Sequence, residues 1–87
     1  MHVVNTQTVE QLRTIISSAV GAKKRLNIGE TTPLNEVVTS SLQFVVVIGE
    51  IERVFGIIVP DVDLTPERFR DLSTVAGLID RVRATAV

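Results

Sequence analysis

Two adjacent serines, Ser40 and Ser41, are the residues of this sequence best placed to do chemistry. They stand where a loop-like stretch gives way to a helical pattern, in the run Thr39-Ser40-Ser41-Leu42. A helix N-terminus offers unpaired backbone N–H groups and a positive dipole end, so a serine there is well placed to bear a phosphodiester. In most small helical proteins such a serine only caps the helix. The pair alone therefore leaves both interpretations open.

The composition excludes most other chemistry. The chain has 87 residues, which is enough for one domain with one core. It has no cysteine, so disulfides, thiolate metal sites and a cysteine nucleophile are excluded, and its one histidine, His2, lies beside the terminus. With 9 basic and 10 acidic residues, the net charge of −1 lacks the basic field that nucleic-acid binding usually needs. Asp61 and Asp63 could suggest a cation site, but are expected to be solvated loop acids.

Helical periodicity predicts an all-α domain over residues 1–87. The predicted helices cover about residues 8–21, 41–55, 66–71 and 73–85, and the third is little more than one turn. The loop over residues 22–39 is long for a compact domain, so apolar residues must anchor it. The expected anchors are Leu26, Ile28, Leu34, Val37 and Val38.

Capping and stop signals mark the helix ends. Thr8 is the expected N-cap of the first helix, and Gly21 its stop. Gly56 ends the second helix. Thr65-Pro66 predicts the start of the short helix, and Ser73 is expected to cap the last one.

The second helix is predicted in spite of a strand-like run from Phe44 to Ile48. The apolar pattern continues to Phe55, which is longer than a typical strand. The residues that recur every three or four positions, and are therefore expected to face the core, are Val45, Ile48, Ile51, Val54 and Phe55.

From Pro33 to Ile79 the chain resembles the acyl and peptidyl carrier proteins. The elements that carry the resemblance follow in family order and at family spacing: Ser41-Leu42, Glu52-Arg53-Val54-Phe55-Gly56, Ile57-Ile58-Val59-Pro60, the loop and short-helix segment from Asp61 to Phe69, and Leu72-Ser73-Thr74-Val75-Ala76-Gly77-Leu78-Ile79. A lone Ser-Leu would mean nothing, but the ordered set is specific. The resemblance implies a four-helix carrier bundle with three main helices, a short third helix and a long first loop.

The resemblance also implies a cofactor. In this family a serine that opens the second helix bears a 4′-phosphopantetheine arm from coenzyme A, whose thiol carries an acyl or aminoacyl group as a thioester. Leu42 must follow that serine and Phe55 must close the same helix, so the attachment falls on Ser41. Ser40 then stands where the family has an aspartate, which supports recognition by the phosphopantetheinyl transferase and its metal. Serine can still cap and hydrogen-bond there, so modification of Ser41 is expected.

The second helix is also where partner proteins are expected to bind. Fatty-acid carriers are usually acidic there, whereas this helix has Glu50 and Glu52 against Arg53. Electrostatic steering should be weak, and docking should rely more on apolar contacts. The expected partner-binding residues are Ser40, Leu42, Gln43, Phe44, Val46, Glu52 and Arg53, of which Phe44 is as readily a packing residue.

These observations lead us to expect a discrete carrier protein with no catalytic residues and no metal site, acting in polyketide, nonribosomal peptide or hybrid biosynthesis. Its expected partners are the transferase, a loading enzyme and downstream synthase or tailoring enzymes, but not nucleic acid or a membrane. We expect a monomer. Because the segment from Met1 to Thr8 lacks the features of a signal peptide, the expected location is the cytoplasm.

Three alternatives are weaker. The near-neutral charge and Ser40 argue against a fatty-acid-synthesis carrier. A carrier-like helical interaction module that is never modified would explain the absent aspartate. A helix-turn-helix regulator is disfavoured because no helix has a basic stripe.

Overall fold

The chain forms helices joined by loops. The computed structural model describes residues 6–85, and within them it has three α-helices and no β-strand: α1 (Thr6–Ala19), α2 (Ser41–Phe55) and α3 (Leu72–Thr85). Two short 3₁₀ helices, Leu34–Glu36 and Asp61–Asp63, lie in the connections. The all-α class is confirmed, and α2 coincides with the helix predicted there. His2 lies outside the described residues.

The three α-helices share a hydrophobic core, because α1 packs against both α2 and α3. Burying one such side chain fully stabilises a fold by roughly 1.5–3 kcal/mol. Val47 and Ile51 are the apolar residues with which α2 enters this core. The most deeply buried large side chains of the core are Leu12, Ile16, Ile51, Leu72, Val75 and Ile79.

The ends of α1 differ in how well they were predicted. Gly21 stands at the predicted stop with a φ of 76°, where the N–H groups of Gly21 and Ala22 donate to the carbonyls of Ser18 and Ser17 at 3.1 and 2.9 Å. This pair of bonds is a Schellman motif, for which glycine is favoured because it adopts a positive φ without strain. At the other end α1 begins at Thr6, so Thr8 lies inside the helix and is buried instead of capping it.

The long loop between α1 and α2 is fixed to the rest of the fold at several points. Ile28 and Leu34 are buried as expected, while Leu26, Val37 and Val38 pack partly buried against the core. The Arg13 Nε–H donates to the Ile28 carbonyl at 2.7 Å. The loop is therefore a wall of the domain, not a linker.

The start of α3 uses a different cap from the predicted one. Asp71 Oδ1 accepts hydrogen bonds from the Thr74 N–H at 2.8 Å and the Thr74 hydroxyl at 2.7 Å. Ser73, the expected cap, lies within α3, and its N–H donates to the Glu30 carbonyl at 3.0 Å. An aspartate directly before the helix can reach the free N–H groups of the first turn, so Asp71 takes the capping position.

Of residues 66–71, predicted as a short third helix, residues 66–69 form a hydrogen-bonded turn and residues 70–71 a bend. The N–H groups of Arg68 and Phe69 donate to the Thr65 carbonyl at 3.1 and 3.3 Å, which makes a single turn. The turn goes no further because the Arg70 carbonyl accepts from the Leu34 N–H at 2.8 Å and Asp71 caps α3. The hydrogen bonds of Arg70 with Leu34 and of Asp71 with Thr74 thus prevent the turn from continuing as a helix.

Candidate functional site

Ser41 is the first residue of α2, and Ser40 is its N-cap. The Gln43 N–H donates to Ser40 Oγ at 3.1 Å, and the Thr39 N–H donates to Gln43 Oε1 at 3.0 Å. These two bonds fix the chain on both sides of Ser41. The hydroxyl of Ser40 is therefore committed to the cap.

The side chain of Ser41, by contrast, is exposed and makes no hydrogen bond to any residue from 6 to 85. The first turn of α2 contains no acidic residue. No carboxylate there would repel an anion at the positive end of the helix dipole. An anionic group on the Ser41 oxygen would meet a favourable field and free backbone N–H groups. The residues present therefore fit a phosphodiester.

The orientation of α2 is set by its buried face. Val47 and Ile51 are buried, and Phe44, Ile48 and Phe55 pack partly buried beside them. The expectation that Val45 and Val54 also face the core is wrong, since their exposed fractions are 63% and 38%. With 3.6 residues per turn, the face centred on Ile51 takes in Val47 and leaves Val45 on the solvent side.

A groove with a volume of about 690 Å³ opens beside Ser41. Its walls are the first half of α2, the 3₁₀ helix Leu34–Glu36 and the segment over residues 64–70. The ring of Phe44 meets the ring of Phe69 edge to face, with 5.3 Å between their centroids. Apolar side chains, including those of Leu34, Val38, Val47 and Phe69, make up much of its lining.

The 64–70 wall of the groove is held in place by a buried carboxylate. Asp63 Oδ1 lies 3.0 Å from an Arg81 guanidinium nitrogen on α3 and 3.4 Å from Arg68 Nε. The expectation that Asp63 is a solvated loop acid is therefore wrong, while Asp61 is exposed as expected. Among residues 6–85 no group of three or more His, Cys, Asp or Glu side chains is arranged to hold a metal ion.

The residues expected to bind partners fall into two groups. Leu42 and Val46 point to solvent, with 74% and 42% of their surface exposed. Ser40 and Gln43, by contrast, form the hydrogen bonds of the helix cap. The Phe44 side chain lines the groove and contacts Phe69.

The charged residues of α2 also have partners within the domain. Glu52 Oε2 accepts the Val59 N–H at 2.9 Å, which ties the chain after α2 to the helix. The Arg53 guanidinium lies 2.6 Å from Glu50 Oε2. Its hydrogen bond lowers the pKa of the Glu50 carboxyl, and the Glu50 carboxylate in turn raises the pKa of Arg53.

Sequence reasoning missed two features of this region. The exposure of Val45 could have been found by centring the helical face on Ile51. The groove could not, because it depends on where the 64–70 segment lies, and only the fold brings that segment beside α2.

Comparison with known families now gives the class of this domain. The sequence profile of a family described as "Phosphopantetheine attachment site" matches residues 10–82, which include most of α1, all of α2 and most of α3. The chain belongs to this family, and its members carry covalently bound 4′-phosphopantetheine. None of the curated proteins compared with the chain matches it. No helix between residues 6 and 85 is long and apolar enough to cross a membrane.

Proposed function

We propose that Ser41 is the residue to which phosphopantetheine is attached, in a discrete carrier protein that transfers acyl or aminoacyl intermediates between enzymes. The observation that carries this proposal is the exposed, unpaired hydroxyl of Ser41 at the start of α2, next to an apolar groove. Ser40 is the neighbouring alternative, but its oxygen already accepts the Gln43 N–H. Both serines stand at the helix end, and of the two only the Ser41 side chain makes no hydrogen bond within residues 6–85.

The protein's part in this function is to hold and present. Ser41 Oγ would form the ester bond, and the first backbone N–H groups of α2 would stabilise the phosphate charge. When bound, phosphopantetheine supplies a terminal thiol on which an acyl or aminoacyl group travels as a thioester. The groove lined by Leu34, Val38 and Phe69 offers apolar surface next to the attachment point. We propose no catalytic residue in this chain, because with no cysteine and one histidine it lacks most side chains for acid–base or nucleophilic work.

The setting we propose follows from the net charge and from the residue before Ser41. A net charge of −1 and Ser40 in the family's aspartate position favour a carrier of polyketide, nonribosomal peptide or hybrid biosynthesis over a fatty-acid-synthesis carrier. We further propose a monomeric domain over residues 1–87 that acts in the cytoplasm. Its partners would be a phosphopantetheinyl transferase, a loading enzyme and the synthase or tailoring enzymes downstream, with no nucleic acid or membrane among them.

Intact-mass spectrometry after incubation with coenzyme A and a broad-specificity transferase tests the attachment. The wild type should gain the mass of one phosphopantetheine, and Ser41→Ala should gain none. Ser40→Ala is the matched control, because it removes the neighbouring hydroxyl and leaves Ser41 in place. A gain on Ser41→Ala equal to that of the wild type would refute the assignment.

A second candidate, a carrier-like module that is never modified, is favoured by one observation only. The residue before Ser41 has no carboxylate, and its hydroxyl is occupied by the Gln43 N–H. This candidate requires an unchanged mass when the protein is isolated from its native host with its transferase present. Detection of the modified mass in such a preparation would exclude it.

A further inference from the structure

The groove beside Ser41 extends from the surface of the domain to its core. Ser41 is itself one of the lining residues, and so are Ile16 and Val47, which are buried. The floor of the groove is therefore the hydrophobic core. Its volume of about 690 Å³ lies within the range of roughly 300–1,000 Å³ that is usual for small-molecule sites. A group attached to Ser41 thus begins at the edge of a cavity large enough to receive it.

The wall over residues 64–70 is fixed without any ligand. At its start, Asp63 Oδ1 lies 3.0 Å from an Arg81 guanidinium nitrogen, and at its end the Arg70 carbonyl accepts the Leu34 N–H at 2.8 Å. An aromatic contact also joins this wall to α2. A site that is already formed requires little ordering when a ligand enters, so modest contacts are enough to hold the ligand.

The lining of the groove combines apolar surface with polar side chains. Val38 and Phe44 contribute apolar area beside Ser41. Asn35 and Thr39 line the same groove and are exposed, and their side chains make no hydrogen bond within residues 6–85. A few polar groups among many apolar ones fix the orientation of a ligand that has both kinds of group. A plain hydrocarbon chain would make no use of the amide and the hydroxyl.

Phosphopantetheine has both kinds of group, and its apolar part comes first. Next to the phosphate the arm has a carbon with two methyl groups, and a hydroxyl and two amides follow. The ester bond to Ser41 keeps this methyl pair close to the groove. A tethered group has an effective concentration in about the millimolar range, so weak affinity is enough to bring it into a neighbouring site.

We infer that the groove holds the first part of the phosphopantetheine arm, with the methyl pair against Val38 and Phe44 and the polar groups beside Asn35 and Thr39. The inference rests on Ser41 as the attachment site. In this resting state the arm occupies the groove, and the thiol with its cargo stays outside. A partner enzyme then has to draw the arm out of the groove before the thioester reaches its active site.

Nuclear magnetic resonance of the loaded protein tests this contact directly. The protein is loaded with coenzyme A and a broad-specificity transferase, and intact mass confirms the attachment. Nuclear Overhauser cross-peaks should join the methyl protons of the arm to the ring protons of Phe44 and the methyl protons of Val38. An arm that moves freely in solvent would give no such cross-peaks, and their absence would overturn the inference.

Thermal denaturation measures what the contact contributes. A group that contacts only the folded state stabilises it, so attachment should raise the denaturation temperature of the wild type by about 4 °C or more. Val38→Thr keeps the shape of the side chain but replaces a methyl group with a hydroxyl, which the methyl pair of the arm would leave unpaired. This variant should lose about half or more of the increase.

Val37→Thr is the matched control. Val37 precedes Val38 and packs partly buried against the core as Val38 does, but it lies outside the groove lining. It should keep the full increase. Each loaded variant is compared with its own unloaded form, which removes the effect of the substitution on the fold. The phosphate at the start of α2 contributes equally in all of them.

The outcomes separate this inference from the attachment itself. No mass gain on the wild type would overturn the Ser41 assignment, and the inference with it. Complete mass gain with the same temperature increase in the wild type, Val38→Thr and Val37→Thr would overturn binding of the arm in the groove and leave Ser41 as the attachment site. Cross-peaks that arise only from an acyl group loaded on the thiol would assign the groove to the cargo instead of the arm.

Discussion

Ser40 and Ser41 have the same side chain but different surroundings. Ser40 Oγ accepts the Gln43 N–H at 3.1 Å, whereas Ser41 faces solvent. The one-residue shift decides the difference, because an N-cap side chain turns back over the first turn and the next residue already has helical geometry. The hydrogen bonding of a serine at this helix end thus depends on its position and not on residue type.

Replacing Ser40 by aspartate should speed loading without weakening the fold. Aspartate caps helices about as well as serine, and its charge suits the helix N-terminus, so the free energy of unfolding should not fall. A carboxylate beside Ser41 restores the group that the family presents to the transferase and its metal. Because this carboxylate can form charge-assisted bonds with the transferase, the kcat/KM for attachment of phosphopantetheine to Ser40→Asp should rise by about threefold or more.

Ser40→Asn is the matched control for that change. Asparagine has the same shape and also caps helices, but it carries no charge. Its kcat/KM should stay near that of the wild type. If asparagine accelerated loading as much as aspartate, the effect would come from the cap and not from the carboxylate.

At the scale of the element, Asp71 sets where α3 begins. Burial acts to raise the pKa of this carboxyl, but hydrogen bonds from the Thr74 N–H and hydroxyl, together with Arg70, outweigh burial and lower it. The ionised form is thus favoured in the folded state. A carboxyl with a lowered folded pKa contributes stability that is complete above its unfolded pKa and is lost as the pH falls through its folded pKa.

Asp71→Asn should therefore make the unfolding free energy less dependent on pH in acid. Asparagine retains a capping oxygen, so at pH 7 the loss should be less than the roughly 1 kcal/mol that an alanine at the cap would cost. Below about pH 4, near the unfolded pKa of aspartate, the wild type should lose stability faster, and the two curves should converge. Urea unfolding followed by circular dichroism across this range gives both curves.

Asp61→Asn is the control for the pH effect, because Asp61 is an exposed acid outside α3. Its stability curve should run parallel to that of the wild type. A wild-type curve that stays parallel to the Asp71→Asn curve down to the acid limit would contradict the role given to the Asp71 carboxylate.

How well the sequence predicts these elements depends on whether residues nearby or far along the chain determine them. Gly21 and Gly56 lie at helix ends that could be predicted. A helix end with positive φ favours glycine, and this preference is local to the residue. That the turn predicted at residues 66–71 stops before Arg70 could not be foreseen, since the Arg70 carbonyl accepts the N–H of Leu34, which is distant in sequence. Likewise, Asp63 could not be distinguished from Asp61 until the fold brought Arg81 to it.

The candidate site likewise combines a feature that local sequence predicts with one that depends on contacts between distant residues. The family spacing led to the proposal of Ser41 as the attachment residue, because Leu42 and Phe55 fall in the same helix. The groove needs Phe69 beside Phe44, and no local pattern states that contact. Residue types therefore predict where an arm would be attached, and only tertiary structure predicts what lies next to it.

The whole molecule depends on one small core, which makes the presentation of Ser41 sensitive to distant changes. The core is shared by α1, α2 and α3, and the helix that carries Ser41 enters it through Val47 and Ile51. A domain of this kind has a total stability of about 5–10 kcal/mol. The loss of one large side chain at the centre should remove a substantial part of that.

Ile51→Ala should lower the free energy of unfolding by about 2–4 kcal/mol, because it removes buried methyl groups and leaves a cavity where the wild-type side chain is only 1% exposed. Val45→Ala is the matched control on the same helix, since it trims an exposed side chain and gains helix propensity, so stability should hold or rise slightly. Urea denaturation of both variants measures the contrast. Equal losses would mean that α2 does not face the core through Ile51, and that the exposed face beside Ser41 has been placed on the wrong side of the helix.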